Sequence, residues 1–138
     1  MCTSNELLAR IEGLDIEQVC EDAFNLNAEI AEELNREQLQ RGEGAIGEMP
    51  DYSRASVEIY GKPEGGIRLY DTGSFYEGIT FGTSNGTVSM FSTDSKNSFL
   101  ENQYALAQPL GLNEKSKLEF NKVLLPTAIE EVKSKLNI

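Results

Sequence analysis

The sequence contains no histidine and no tryptophan. Without imidazole, Ser–His and Cys–His nucleophile pairs and histidine metal ligands are excluded. The two cysteines, Cys2 and Cys20, lack the Cys-x-x-Cys spacing of a redox or zinc motif, so we expect reduced thiols. We predict that Cys20 lies in the core on the apolar face of a helix and that Cys2, at the terminus, is incidental.

Long apolar runs are also missing. No run approaches the roughly 18 residues of a membrane-spanning helix, and the N-terminus lacks the basic-then-apolar layout of a signal peptide. We therefore expect a protein that is made and kept in a cytoplasm, without a membrane partner. With 138 residues, 39% of them hydrophobic, one domain is predicted. It comprises an acidic helical region (1–41), a loop region (42–66) and a hairpin with C-terminal helices (67–138).

Basic residues are scarce in the N-terminal third. Residues 1–51 hold 13 acidic and 3 basic side chains, whereas residues 52–138 hold 10 and 9. Such a surface repels phosphate backbones, so sequence-specific binding to nucleic acid is not expected. The surface is either a complementary face for a basic partner or a solvated helix face, and the second interpretation is favoured.

Apolar spacing predicts two helices in this acidic region. Residues 4–14 are predicted to form a short helix that ends at Gly13. Asp15 then caps a longer helix that continues to about Gln40. Its predicted inward stripe consists of Ile16, Val19, Ala23, Leu26, Ile30 and Leu34. Most of its carboxylates lie off this stripe.

Glycine and proline mark the middle of the chain as a loop region. Residues 41–50 are predicted to be a loop, residues 51–63 an irregular segment over the core, and residues 67–70 a short strand or an extended segment. The loop contains G-x-G-x-x-G at Gly42, Gly44 and Gly47. Because the motif follows a helix and no helix follows it, we interpret its glycines as loop residues that interrupt regular structure, not as a dinucleotide site. No cofactor and no small-molecule ligand are expected.

The second half predicts a hairpin followed by helices. Residues 79–84 and 87–92 alternate apolar and polar side chains around Asn85-Gly86, which is a strong hairpin-turn signal. A short helix is predicted over residues 98–107. Ile79 and Phe81 are predicted to share one face of the first strand, and Val88, Met90 and Ser92 one face of the second. The aromatic residues predicted to pack as core are Phe75, Tyr76, Phe81, Phe91, Phe99 and Tyr104.

The C-terminus predicts a helix that begins at Asn113. Pro126 cannot donate a backbone hydrogen bond and is expected to bend or split this helix near Leu125. Its predicted stripe is Leu118, Leu125, Ile129, Val132 and Leu136, widened by Phe120, Val123 and Leu124. Together these elements predict an α+β fold with a long N-terminal helix, a small antiparallel sheet containing the hairpin, and a bent C-terminal helix.

Asp71-Thr72-Gly73 has two interpretations. It matches the catalytic triplet of an aspartic protease, or it caps the helical turn predicted at residues 74–77, with Gly73 supplying backbone freedom. Arg68 and Tyr70 interrupt the apolar lead-in that a protease needs. No second triplet exists, so a protease would be a homodimer. The capping interpretation is favoured.

Asp71 and Asp94 together form a candidate carboxylate pair for metal binding or acid–base chemistry. Each is followed by serine or threonine at a turn position, so capping is favoured for both. No residue is therefore assigned a catalytic, cofactor-binding or metal-binding role.

The order of short motifs resembles a known family. After the acidic helix come Arg-Gly-x-Gly at residues 41–44, Pro-x-Tyr-Ser at 50–53, Lys-Pro at 62–63 and Leu-Tyr-Asp-Thr-Gly-Ser-Phe-Tyr at 69–76. They are followed by Phe-Ser-Thr-Asp at 91–94 and Leu-Gly-Leu-Asn at 110–113. This order, over roughly residues 36–125, resembles phage virion-morphogenesis proteins of the neck or tail-completion (head–tail joining) type, as in Bacteroidetes phages. The chain departs from some of these proteins in lacking strongly basic patches.

The resemblance implies a non-enzymatic structural protein that assembles as a homo-oligomeric ring at the portal–tail junction. Its implied partners are other neck, portal and tail proteins, and its implied location is the virion, after assembly in the cytoplasm of the bacterial host. An acidic helix facing a channel would let DNA slide without sticking. The alternatives are an intracellular protein–protein interaction module and a homodimeric aspartic protease that uses Asp71.

Overall fold

A computed structural model describes residues 3–70, 73–84 and 87–138, and within these ranges the chain forms seven helices and one antiparallel hairpin. The helices are α1 (Ser4–Glu12), α2 (Ile16–Leu26), α3 (Ala28–Gln40), α4 (Arg54–Tyr60), α5 (Ser74–Glu77), α6 (Asn97–Gln103) and α7 (Glu114–Leu136). The strands are β1 (Ile79–Ser84) and β2 (Thr87–Ser92). The predicted α+β class is confirmed.

Four helices, α1, α2, α4 and α7, begin at side chains that accept hydrogen bonds from their first turn. Thr3 and Glu6 form a reciprocal capping box at the start of α1. Asp15 and Asn113 each accept from the backbone N–H three residues later, at 3.2 and 2.9 Å. The predicted caps of α2 and α7 are therefore confirmed.

The predicted long N-terminal helix is wrong, because two helices meet at Asn27. The side-chain amide of Asn27 donates to the carbonyl of Ala23 at 2.9 Å and to the hydroxyl of Thr127 in α7 at 3.1 Å. Asparagine side chains compete in this way with the regular helix hydrogen bonds. The hydrogen bond to Thr127 connects the junction between α2 and α3 to α7.

The buried face of α2 and α3 also differs from the predicted stripe. It consists of residues spaced by four: Val19, Ala23, Asn27, Ala31, Asn35 and Leu39. Ile16, Leu26 and Ile30, which belong to the predicted stripe, are 58%, 67% and 39% exposed. Cys20 lies off this face and is exposed, so its predicted place in the core is wrong.

The hairpin is confirmed with the predicted strands. Ile79 pairs with Ser92 and Phe81 pairs with Met90. Asn85 and Gly86, the predicted turn, lie outside the described residues. Ile79 and Phe81 are buried as predicted. They contribute to two adjoining clusters, which contain Leu39, Phe75, Tyr76, Ile79 and Leu110 in one and Ala31, Phe81 and Phe120 in the other.

Two of the predicted core aromatics lie on the surface. Phe91 is 42% exposed and Phe99 is 66% exposed. Phe91 is adjacent to Met90 in β2, and successive side chains of a strand point to opposite faces, so Phe91 faces away from the helices. The rings of Phe24, Phe81 and Phe120 do meet, with centroids 5.9 to 6.2 Å apart.

Helix α7 runs through Pro126 without splitting, and the predicted bend stays a prediction. Phe120 and Leu136 are buried, whereas Leu118, Leu125 and Ile129 are 65%, 63% and 45% exposed. The predicted stripe is therefore wrong for these three residues. Packing of Phe120 against the aromatic cluster decides which face of α7 turns inward. In the described part of the chain, every helix is too short or too polar to cross a bilayer.

The middle of the chain is more regular than predicted. Residues 51–63 contain α4, which begins after the cap Ser53 and ends at Gly61 with φ 67°. Residues 67–70 form no strand in the described ranges, and the predicted extended conformation is interrupted at Leu69, whose φ is 55°. An isolated bridge joins Asp51 to Gly66. Helix α6 ends at Gln103, short of the predicted residue 107.

Candidate functional site

The segment around Asp71-Thr72-Gly73 is only partly described. Asp71 and Thr72, on which the capping and protease interpretations depend, lie outside the described residues. Gly73 has φ 89°, a left-handed conformation that favours glycine. The predicted helical turn follows as α5 and buries Phe75 and Tyr76. The predicted role of Gly73 as a point of backbone freedom is confirmed.

Asp94 links α5 to the turn that precedes α6. Its carboxylate accepts from the Ser74 hydroxyl at 2.6 Å and from the backbone N–H of Lys96 at 2.8 Å. These two hydrogen bonds, the first most strongly, hold the pKa of Asp94 below its ordinary value. Asp94 therefore stabilises the turn before α6, as predicted. Its predicted role as a helix cap is wrong, because the N-cap of α6 is Lys96 and no side chain of the described residues caps this helix. A carboxylate engaged in this way is a weak general base, and its predicted partner Asp71 lies outside the described residues.

Tyr76 is the other strongly perturbed group near this segment. Its hydroxyl donates to the carbonyl of Arg68, and its ring meets Tyr70 edge-on with centroids 5.2 Å apart. Burial raises the pKa of Tyr76 well above the ordinary value of a phenol. Because the neutral phenol is the favoured form, Tyr76 acts as a buried hydrogen-bond donor and not as a base.

The cleft beside α5 is small. Its volume is about 170 Å³, and Ser74, Asp94, Lys62 and Lys96 provide its polar lining. Small-molecule sites are typically roughly 300–1,000 Å³. No group of three or more potential metal-ligating side chains occurs among residues 3–70, 73–84 and 87–138. We therefore interpret the cleft and its polar side chains as a structural contact between α5 and α6.

The glycine-rich loop packs against the segment before α7. A Cβ on Gly44 would lie 2.0 Å from the carbonyl oxygen of Ala107. The N–H groups of Ala45 and Ile46 donate to the carbonyls of Gln108 and Ala107 at 2.6 and 3.1 Å. A phosphate-binding loop needs such N–H groups to be free. The N–H groups of this loop are therefore used in backbone hydrogen bonds, and its glycines permit the close approach of the two segments.

Two fully buried amides hold the chain before α7 and were not predicted. Asn35 donates to the carbonyl of Pro109 at 3.0 Å and accepts from the N–H of Gly111 at 2.9 Å. Gln38 donates to the carbonyl of Gly111 and accepts from the N–H of Asn113 at 2.8 Å. In the sequence, these two amides are distinguished by their position alone. Asn35 and Gln38 follow Ala31 by four and seven residues and therefore lie on the same face of α3.

An apolar groove of about 690 Å³ opens between the hairpin and the helices. Its apolar lining includes Phe24, Ile46, Phe81, Met90, Leu112 and Phe120. It lies beside β2, whose outer edge at Val88 and Met90 has no hydrogen-bonded neighbour among the described residues. An unpaired strand edge next to an apolar groove is a possible site for an extended peptide.

Exposed apolar side chains provide a second candidate surface. Leu118, Leu125 and Ile129 occupy the outward side of α7, and Leu106, beyond α6, is 94% exposed. Single exposed apolar residues are ordinary. The three on α7 are spaced by seven and four residues and therefore share one side of the helix, which makes that side a candidate interaction surface.

Comparisons with known proteins identify no relative: no family model, no curated protein and no solved structure matches the chain. The resemblance to phage neck proteins stays a prediction from the sequence motifs.

Proposed function

We propose that the protein is a structural component of a phage particle, of the neck or tail-completion type. It acts by oligomeric assembly at the portal–tail junction and performs no chemistry of its own. Its partners are further copies of itself and the neighbouring neck, portal and tail proteins. It is assembled in the host cytoplasm and remains in the virion.

One observation carries this proposal: the outward row of Leu118, Leu125 and Ile129 on α7. A protein that functions alone gains nothing from presenting such a row to water. Burial of apolar side chains against a neighbouring molecule stabilises association by roughly 25 cal/mol per Å² removed from water, before the costs of association. The motif order described above supports the phage assignment.

The acidic helices have a role in the same proposal. Glu6, Glu12 and Glu17 are exposed on α1 and α2. If these helices face the channel of the ring, their charge repels DNA and prevents it from sticking during passage. Electron microscopy of the assembled particle tests this arrangement, and acidic helices on the outside of the ring would contradict it.

Light scattering after size-exclusion chromatography tests the assembly itself. The proposal expects a multimer larger than a dimer, formed either by the purified protein or upon addition of a portal partner. A homodimer with proteolytic activity that Asp71→Asn abolishes would favour the protease. Under the capping interpretation, Asp71→Asn costs little because asparagine caps nearly as well as aspartate.

A second candidate function is an intracellular protein–protein interaction module. The apolar groove beside the open edge of β2 favours it, because an extended peptide can add to that edge. This function expects a monomer under the same measurement. Binding of a peptide with alternating apolar residues, lost on Val88→Pro, would support it.

A further inference from the structure

The outer face of α7, defined as Leu118, Leu125 and Ile129 with Lys115 and Lys122 beside them, is not covered by the rest of the chain. At about 100° per residue, the three apolar side chains form one line, and the two lysines border it on one side. All five are exposed. Lys122 meets Glu119 at 3.0 Å, an exposed pair three residues apart, and Lys115 has no ion-pair partner in the described ranges.

The outer face of α3 has the opposite charge. Glu29, Glu33 and Glu37 are spaced by four residues and form one line along the helix. Ile30 and Leu34 border this line, and the five residues line a shallow depression of about 250 Å³. Glu33 pairs with Arg36 at 3.3 Å, whereas Glu29 and Glu37 have no ion-pair partner among the described residues.

We propose that the outer face of α7 docks on the outer face of α3 of a second copy of this chain. The proposal rests on the oligomeric function proposed above and names the two faces that meet. Lys115 and Lys122 are about 10 Å apart along their helix, and Glu29 and Glu37 are about 12 Å apart. Two lysines on one helix therefore match the glutamate row on the other, while the apolar borders of both faces pack together.

The two faces belong to different copies because of how the helices pack within one chain. The inner faces of α3 and α7 turn toward each other: Ala31 and Phe120 share one core cluster, and Gln38 accepts from the N–H of Asn113. The outer faces therefore point away from each other. A contact between two different faces is heterologous, and its repetition generates a ring or an open filament.

Two aspartate substitutions test the docking. Leu125→Asp introduces a charge into the apolar part of the α7 face, and Ile30→Asp does the same in the α3 face. Each variant alone is expected to be monomeric by light scattering. An equimolar mixture is expected to form dimers and nothing larger, because each variant keeps one intact face. Leu106→Asp, an exposed apolar residue on neither face, is the matched control and is expected to keep the wild-type mass.

Charge reversal is the second test and leaves the apolar residues intact. Lys115→Glu/Lys122→Glu and Glu29→Lys/Glu37→Lys are each expected to lower the multimer fraction at least severalfold, and the variant that combines all four substitutions is expected to recover it. Circular dichroism checks that each variant retains its helices. A wild-type multimer that Leu125→Asp, Ile30→Asp and both charge reversals leave unchanged would overturn the docking faces alone. A wild-type protein that stays monomeric, with or without a portal partner, would instead overturn the proposed function.

Discussion

The carboxylate of Glu32 in α3 accepts a hydrogen bond from the backbone N–H of Phe81 in β1 at 2.9 Å. One turn further along α3, the guanidinium of Arg36 donates to the carbonyls of Tyr76 and Ile79 at 2.8 and 3.3 Å. Alternate residues of a strand direct their backbone N–H and C=O groups to opposite edges of the strand. The side chains of Glu32 and Arg36 therefore lie along the edge of β1 that does not pair with β2. Helix α3 thus takes the place of a third strand.

Glu32→Ala is expected to destabilise the fold by about 1–3 kcal/mol, because the N–H of Phe81 loses a charged partner in a partly buried place. Urea unfolding at fixed protein concentration measures the change. Amide hydrogen exchange gives a local measurement, and the N–H of Phe81 is expected to exchange faster. Gln40→Ala, in the same helix but exposed, is the control and is expected to stay within about 0.5 kcal/mol. Equal effects of the two variants would contradict the edge-sealing role of Glu32.

Asn35→Ala is expected to cost about 1–3 kcal/mol, because it leaves the N–H of Gly111 and the carbonyl of Pro109 buried without partners. Asn35→Leu restores side-chain volume but not the hydrogen bonds, so it is expected to be no better than Asn35→Ala. Thermal and urea unfolding measure both variants against Asn102→Ala, an exposed position in α6. Recovery of stability by leucine would show that Asn35 acts by packing alone.

Gly44→Ala is expected to destabilise the protein by roughly 1–3 kcal/mol or more, as overpacking does. The added Cβ would lie 2.0 Å from the carbonyl oxygen of Ala107 and would push the glycine loop away from that segment. Gly13→Ala is the matched control. At Gly13 the φ is −82° and the nearest atom would lie 3.4 Å away, so that variant is expected to be neutral or slightly stabilising. If Gly44→Ala and Gly13→Ala changed the unfolding midpoint by the same amount, the close approach at Gly44 would be contradicted.

Ser74→Ala is expected to raise the pKa of Asp94 toward its ordinary value, because the serine hydroxyl is the main cause of the lowered pKa. A folded-state pKa below the unfolded value of about 3.9 means that Asp94 contributes stability above that pH. This contribution is lost as the pH falls through the folded-state pKa. The stability difference between wild type and Ser74→Ala is therefore expected to shrink below about pH 4.

NMR titration of the Asp94 side-chain carboxyl carbon measures this pKa directly. Ser98→Ala, an exposed serine in α6, is the control and is expected to leave the titration unchanged. An Asp94 titration that is the same in wild type and Ser74→Ala would show that the 2.6 Å contact has no electrostatic effect.

Local signals in the sequence were sufficient for the elements whose residues specify their own conformation. Asp15 and Asn113 mark helix starts because their side chains bond to N–H groups three residues away, within one turn. The alternation in β1 and β2 predicted the hairpin and the burial of Phe81, because successive side chains of a strand point to opposite faces, although Val88 is 43% exposed. Ser53 and Gly61 are equally local signals for the start and the end of α4.

The inward faces of the long helices depended on long-range packing. In α7, apolar residues lie on both sides of the helix, and the choice between Phe120 and Leu118 follows from contacts with Phe24 and Phe81, far away in the chain. In α3, the inward positions of Asn35 and Gln38 depend on the backbone at residues 109–113. No pattern of hydrophobicity within a helix contains this information.

The sequence alone determined the acidic bias, the absence of imidazole chemistry, the helix caps and the hairpin, because each is a property of composition or of neighbouring residues. The tertiary structure decided the break at Asn27, the exposure of Leu125 and the orientation of α3 and α7. These features arise where residues distant in the chain compete for the same core, and such competition is settled only when all of the elements pack together.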